Sequence, residues 1–184
     1  MKSARRPVSD TSGPRCCTPL SRSQLPSWLH SELQAASRKI DLIVIHCTDT
    51  RATQSYTVEQ LQRDHERRGF GKYPGYHLYI RRDGTLYNTR PLQLKGCHVA
   101  GYNAHSIGVC YEGGKSEEGR MKSEEGRMKS EDNRTEVQKV VLREVLLELR
   151  KSFPEARIVG HHDLNPAKAC PCFDARREYA SLTT

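Results

Sequence analysis

The chain has 184 residues, with 30 Lys and Arg against 22 Asp and Glu, which is length enough for one domain of about 100–150 residues plus appendages. Its net charge of +8 is unevenly placed, since residues 1–39 hold seven basic residues against Asp10 and Glu32, while the body is nearly balanced at 23 basic and 20 acidic. Such a body, with no basic stripe interleaved with aromatics, excludes a dedicated nucleic-acid surface, and no stretch approaches the roughly 18 apolar residues of a membrane span.

Residues 1–36 mix Pro, Ser, Arg and Lys, so they read as a basic flexible tail that cannot offset the entropy of ordering. A short helix over 28–36 that docks Trp28 on the body is the alternative. The first 30 residues contain no apolar run fit for a signal-peptide core, which points to synthesis in the cytoplasm. Seven cysteines form an odd set without the spacing of a disulfide-stapled scaffold, so a reduced protein with one or two functional thiols is expected.

The domain itself is expected over 37–184. The run Ile40-Asp41-Leu42-Ile43-Val44-Ile45 is apolar and β-branched, predicting a buried central strand that ends on His46. Thr57-Val58-Glu59-Gln60 matches a capping box and opens a helix to Arg68, stopped by Gly69. Residues 76–81 and 85–88 flank Asp83-Gly84 and predict a β-hairpin, and a further strand follows over 106–111. Residues 115–121 and 122–128 repeat Lys-Ser-Glu-Glu-Gly-Arg-Met, and a third copy begins at Lys129. These units are too polar to stack on one another, so 115–131 reads as a solvent loop that grew by duplication, with a wall-contacting arm as the rival reading. Thr135-Glu136-Val137-Gln138 opens a long amphipathic helix with Val137, Val141, Val145 and Leu149 on one side. A short strand over 157–160 and a closing helix over 173–179 complete a single α/β domain, with a central mixed sheet of about five strands flanked by helices.

Three segments place potential metal ligands at the ends of predicted strands: His46-Cys47, His161-His162-Asp163 and Cys170-Pro171-Cys172. Strand ends are where open α/β sheets place their sites. Catalytic zinc takes three protein ligands, imidazole nitrogen and thiolate sulfur among them, and leaves a fourth position for water. Ordinary hydrogen-bonded histidines and buried apolar cysteines are the competing reading of the same residues.

Several strings in order then bear on the family: Ile45-His46-Cys47-Thr48, Gly75-Tyr76-His77, Arg82-Asp83-Gly84, Asn103-Ala104-His105-Ser106-Ile107-Gly108-Val109, and Lys168-Ala169-Cys170-Pro171 with Phe173-Asp174. Across residues 40–180 the chain resembles the zinc amidases that include amidase-type phage lysozymes and the animal peptidoglycan recognition proteins. The resemblance implies one zinc ion on His46, His161 and Cys170, with Tyr76 and Lys168 as catalytic residues stabilising the oxyanion of the attacked amide. It also implies a substrate-binding place for His98 and Asn103, with a hydrogen-bonded structural role as the equal alternative for His98. The bond implied joins N-acetylmuramic acid to L-alanine in bacterial peptidoglycan, cut by a monomer that reaches the cell wall by export or lysis. His162 is the rival ligand, because the stretch between His161 and Cys170 is one residue longer than in some relatives. Adjacent residues of extended chain face opposite ways, so both histidines on one ion are not expected. His65 is assigned to packing or capping, His77 to the core or to the support of the ligands, Asp163 to orienting a histidine or capping, and Cys172 to structure. A non-catalytic peptidoglycan-binding module and a protein-binding regulator are the alternatives on the same fold.

Overall fold

A computed structural model describes residues 25–117 and 130–182. Residues 1–24, 118–129 and 183–184 lie outside the described residues, and with them most of the expected tail and repeat loop. The β-branched run becomes strand β1 (Leu42–Cys47), buried at every position. Helix α2 (Val58–Arg67) leads to the hairpin of β2 (Leu78–Ile80) and β3 (Leu86–Asn88), and β4 (Ser106–Tyr111) follows. Helix α3 (Glu136–Ser152) then crosses to β5 (Arg157–Gly160). The sheet order is β3-β2-β4-β1-β5, with only the β2–β3 pair antiparallel, which is the single mixed α/β sheet expected.

Local chemistry sets these boundaries. Thr57 and Thr135 cap α2 and α3 with their side chains, while Gln60 and Gln138 reach back to the cap amides, so both capping boxes form. Gly69 at φ +78° ends the chain's helical run after α2. Successive side chains of β1 alternate between two faces. Ile43, Ile45 and Cys47 enter the larger core with Val141, Val145 and Leu149 of α3, while Leu42 and Val44 join Val99 and Val159 on the other face. His46 shares that second face, so the helix-covered core supplies rigidity and the opposite side supplies chemistry.

Two expectations need correction. The tail reading over 1–36 fails at its C-terminal end, because helix α1 (Ser27–Ala35) buries Leu29 and Leu33 in the main core and Trp28 packs against it. The two leucines lie four residues apart on one helical face, and the Glu32 carboxylate accepts from the Leu92 amide at 2.9 Å. Val137 was grouped with the buried side of the long helix but is 38% exposed, because it sits in the first turn of α3 beside the hairpin turn at Gly84.

The segment carrying the repeat is tied at both ends. Lys115 bridges Ser130, and Asn133 receives the Gly114 amide at 2.7 Å while donating to the Lys115 carbonyl at 2.9 Å. Leu29 is 1% exposed, so Leu29→Ala should cost about 2–5 kcal/mol and lower the urea midpoint of the full chain. An unchanged midpoint would return α1 to the tail.

Candidate metal centre

The strand register brings the candidate ligands together. β5 pairs Gly160 with Ile45, so His161 leaves the sheet beside His46, the next residue of β1. The His46 and His161 rings cross at 60° with centroids 4.7 Å apart. Cys170 arrives from the loop after β5, its Sγ accepting from the Cys47 amide at 3.1 Å and lying 3.8 Å from His46 Nδ1. One ligand atom each from His46, His161 and Cys170 lies within 4.8 Å of the others. Zinc bonds of about 2.0–2.3 Å place ligand atoms about 3.5 Å apart, so a modest closure of this triangle accommodates the ion. Burial holds both imidazoles below the ordinary histidine pKa, for His46 well below, with the neighbouring histidines adding to its shift and the Lys168 ammonium to that of His161. Neutral imidazole is the ligating form. The donor set therefore fits the metal.

Tyr76 precedes β2 and stands over the same site, its ring centroid 5.0 Å from His46 and 5.2 Å from His65. Burial, reinforced by nearby thiols, pushes its phenol well above the ordinary value, so at neutral pH it remains an O–H donor. His65 on α2 accepts the Gly75 amide at 2.8 Å and so fixes the residue before Tyr76. Lys168 is exposed on the rim, close enough for its charge to depress the His161 pKa.

The remaining expected site residues lie behind the ligands. His98, open to a substrate-binding or a hydrogen-bonded structural place, is 8% exposed and lies behind His46, with Nδ1 3.0 Å from His46 Nε2 and Nε2 3.3 Å from Ser106 Oγ. Asn103, expected beside the substrate, accepts the His98 and Val99 amides on its carboxamide oxygen at 2.8 and 2.9 Å and so braces the turn. His161 and His162 open a short helical turn, α4 (His161–Leu164), instead of extended chain. Their side chains diverge by about 100° and not 180°, and His162 is not among the converging donors. Asp163 makes that turn, its carboxylate accepting the Gly160 amide at 2.7 Å. Among the described residues Cys47, Cys97, Cys110, Cys170 and Cys172 are free thiols.

The sequence model of the N-acetylmuramoyl-L-alanine amidase family matches residues 36–173, three quarters of the chain. The chain belongs to this family. Among curated proteins, the endolysin of Klebsiella phage KP32 is 39% identical over 135 residues, covering 73% of this chain and 82% of its own. That of Enterobacteria phage K11 is 41% identical over 133 residues, 72% and 81% of the two chains. Among solved structures, the endolysin N-acetylmuramoyl-L-alanine amidase LysCS from Clostridium intestinale URNW superposes with a TM-score of 0.61 at 26% identity, covering 80% of this chain and 86% of that one.

In this amidase, sequence reasoning missed the support behind the ligands. The available signal was glycine inside a strand pattern, which marks a close approach. A Cβ at Gly108 would stand 2.8 Å from the His98 ring, and Gly96 is packed against the same ring. His65 and His77 are buried scaffolding histidines: His77 receives the Gly108 amide on Nδ1 and gives its Nε2 proton to the Leu94 carbonyl. Burial lowers both to about 4. The unfolded chain, with histidines near 6.5, thus binds more protons between about pH 6.5 and 4, so this stability is complete above that window and is lost as pH falls through it. Urea midpoints should drop from pH 7 to pH 4.5. His65→Asn, which retains an acceptor for Gly75 and does not titrate, should flatten the slope.

Proposed function

We propose that this amidase hydrolyses the amide bond between N-acetylmuramic acid and L-alanine in bacterial peptidoglycan, with one zinc ion held by His46, His161 and Cys170. The observation that carries the reading is the convergence of two neutral imidazoles and a thiol beside Tyr76. Zinc bound there would supply a Lewis acid and make water a nucleophile at neutral pH.

The remaining work falls to the chain. His46 and His161 present lone pairs because burial keeps them uncharged. The Cys47 amide steadies the Cys170 sulfur. The Tyr76 phenol, which keeps its proton, donates towards the oxyanion of the attacked carbonyl, and the Lys168 ammonium adds positive charge from the exposed rim. As the C–N bond breaks, water provides the oxygen of the new lactyl carboxylate and the proton taken by the departing nitrogen, which becomes the amino terminus of L-alanine. Such a substrate implies action at the cell wall. Among the described residues no helix is long and apolar enough to cross a membrane.

The test is zinc content together with new L-alanine amino termini released from purified peptidoglycan. Cys170→Ser should lose zinc and activity together. Tyr76→Phe and Lys168→Ala should retain zinc and lose about a hundredfold to a thousandfold in kcat, the usual result of deleting one oxyanion donor. A Cys170→Ser protein as active as the parent would sink the assignment, and a protein that binds peptidoglycan without releasing amino termini would be a recognition module.

A further inference from the structure

Beyond its ligands, the site contains a second buried imidazole that the reaction does not touch. His98 lies edge-on to His46, with ring centroids 5.0 Å apart and planes at 83°. His46 Nδ1 is the nitrogen nearer the Cys170 sulfur, and Nε2 is the one facing His98 Nδ1 at 3.0 Å. A neutral imidazole has one N–H and one lone pair. Ligation through Nδ1 therefore needs the His46 proton on Nε2, where it donates to His98. His98 must then accept at Nδ1, which puts its own proton on Nε2, facing Ser106 Oγ at 3.3 Å. Only one direction of protons along Ser106, His98 and His46 leaves the His46 lone pair pointing towards Cys170.

The surroundings fix His98 in place for this. Its ring is pressed between Gly96 and Gly108, where any side chain would collide with it. Asn103 holds its backbone amide at 2.8 Å, and the His77 ring lies 5.7 Å away. Ser106 is fully buried at the start of β4. Metal-bound histidines usually donate their free N–H to a carboxylate, a backbone carbonyl or water. Here the acceptor is an imidazole, which brings no net charge into a buried pocket where an unpaired carboxylate would be costly.

We infer that His98, backed by Ser106, is a positioning residue that locks His46 in the Nε2-protonated tautomer and aims its Nδ1 lone pair at the metal. The inference rests on the zinc reading above, and a single experiment separates the two. Zinc affinity is measured by chelator competition on the full chain, for the parent and for His98→Leu and His98→Asn, together with the urea midpoint of each metal-free protein. Leucine fills the space without an acceptor, whereas the asparagine Oδ1 stands close to the position of the imidazole Nδ1. His98→Leu should bind zinc about 10- to 100-fold more weakly, the usual cost of losing such an outer partner. His98→Asn should stay within about threefold of the parent, because the acceptor survives. A purely structural role would instead move the metal-free midpoints and leave the two variants with equal affinity, which would overturn the inference while leaving zinc binding intact. A parent protein that binds no zinc would overturn the metal reading itself. Should His98→Leu fail to fold, nitrogen NMR of the metal-free parent decides: a proton on His46 Nε2 supports the lock, and a proton on Nδ1 refutes it.

Discussion

Parallel pairing of β1 with β5 ends one residue short of the site, at Ile45 and Gly160, and the centre is built on that shortfall. While the ladder lasts, neighbouring strands are bound to a common direction. Once it stops, β1 carries His46 onward in extended form while the Asp163 cap turns His161 into a helical turn. Two histidines just where adjacent strands stop pairing thereby come ring to ring although 115 positions separate them in sequence. The hydrophobic packing of Ile43, Ile45, α1 and α3 on the far face keeps this register from slipping, since a shift of one residue would drive His46 into the apolar core.

The third candidate ligand depends on a different kind of constraint. Cys170 sits in a short irregular loop, where backbone groups must be paired individually. The Cys170 carbonyl accepts the His162 amide at 2.8 Å, the Pro171 carbonyl accepts the Tyr111 hydroxyl at 2.6 Å, and the Cys172 thiol donates to the Gly114 carbonyl at 3.2 Å. Just beyond, Arg134 lies 3.4 Å from the Phe173 ring centroid and pairs with Asp132 and Glu178. With its side chain 1% exposed, this guanidinium is worth keeping only because both carboxylates and the ring surround it. The thiol is thus positioned by a network running from β4 through the start of α3 to α5 (Ala175–Glu178).

What could be read from the sequence was what short stretches of chain decide for themselves. The β-branched run before His46, the two Thr-to-Gln capping boxes and the Asp-Gly turn each act within a few residues, and each formed as read. The α1 helix stood only as the alternative to a flexible tail because polar neighbours mask Leu29 and Leu33, whose burial depends on a core assembled from distant strands. Two places stayed open for His98 for a related reason: motif position says that a residue is near a site, but not on which side of His46 it lies. Only the packing of Gly96 and Gly108 against the imidazole reveals that His98 faces the protein interior.

The clamp at Lys115, Ser130 and Asn133 bears on how freely this segment can vary in length. Because the two ends of that segment are fastened to each other, the sheet receives the same geometry however much sequence lies between them. Even for a wholly flexible insert, each doubling in length adds only about 0.6 kcal/mol of closure entropy. A heptad more or less between Lys115 and Ser130 would therefore alter the closure entropy of the domain by less than about 1 kcal/mol.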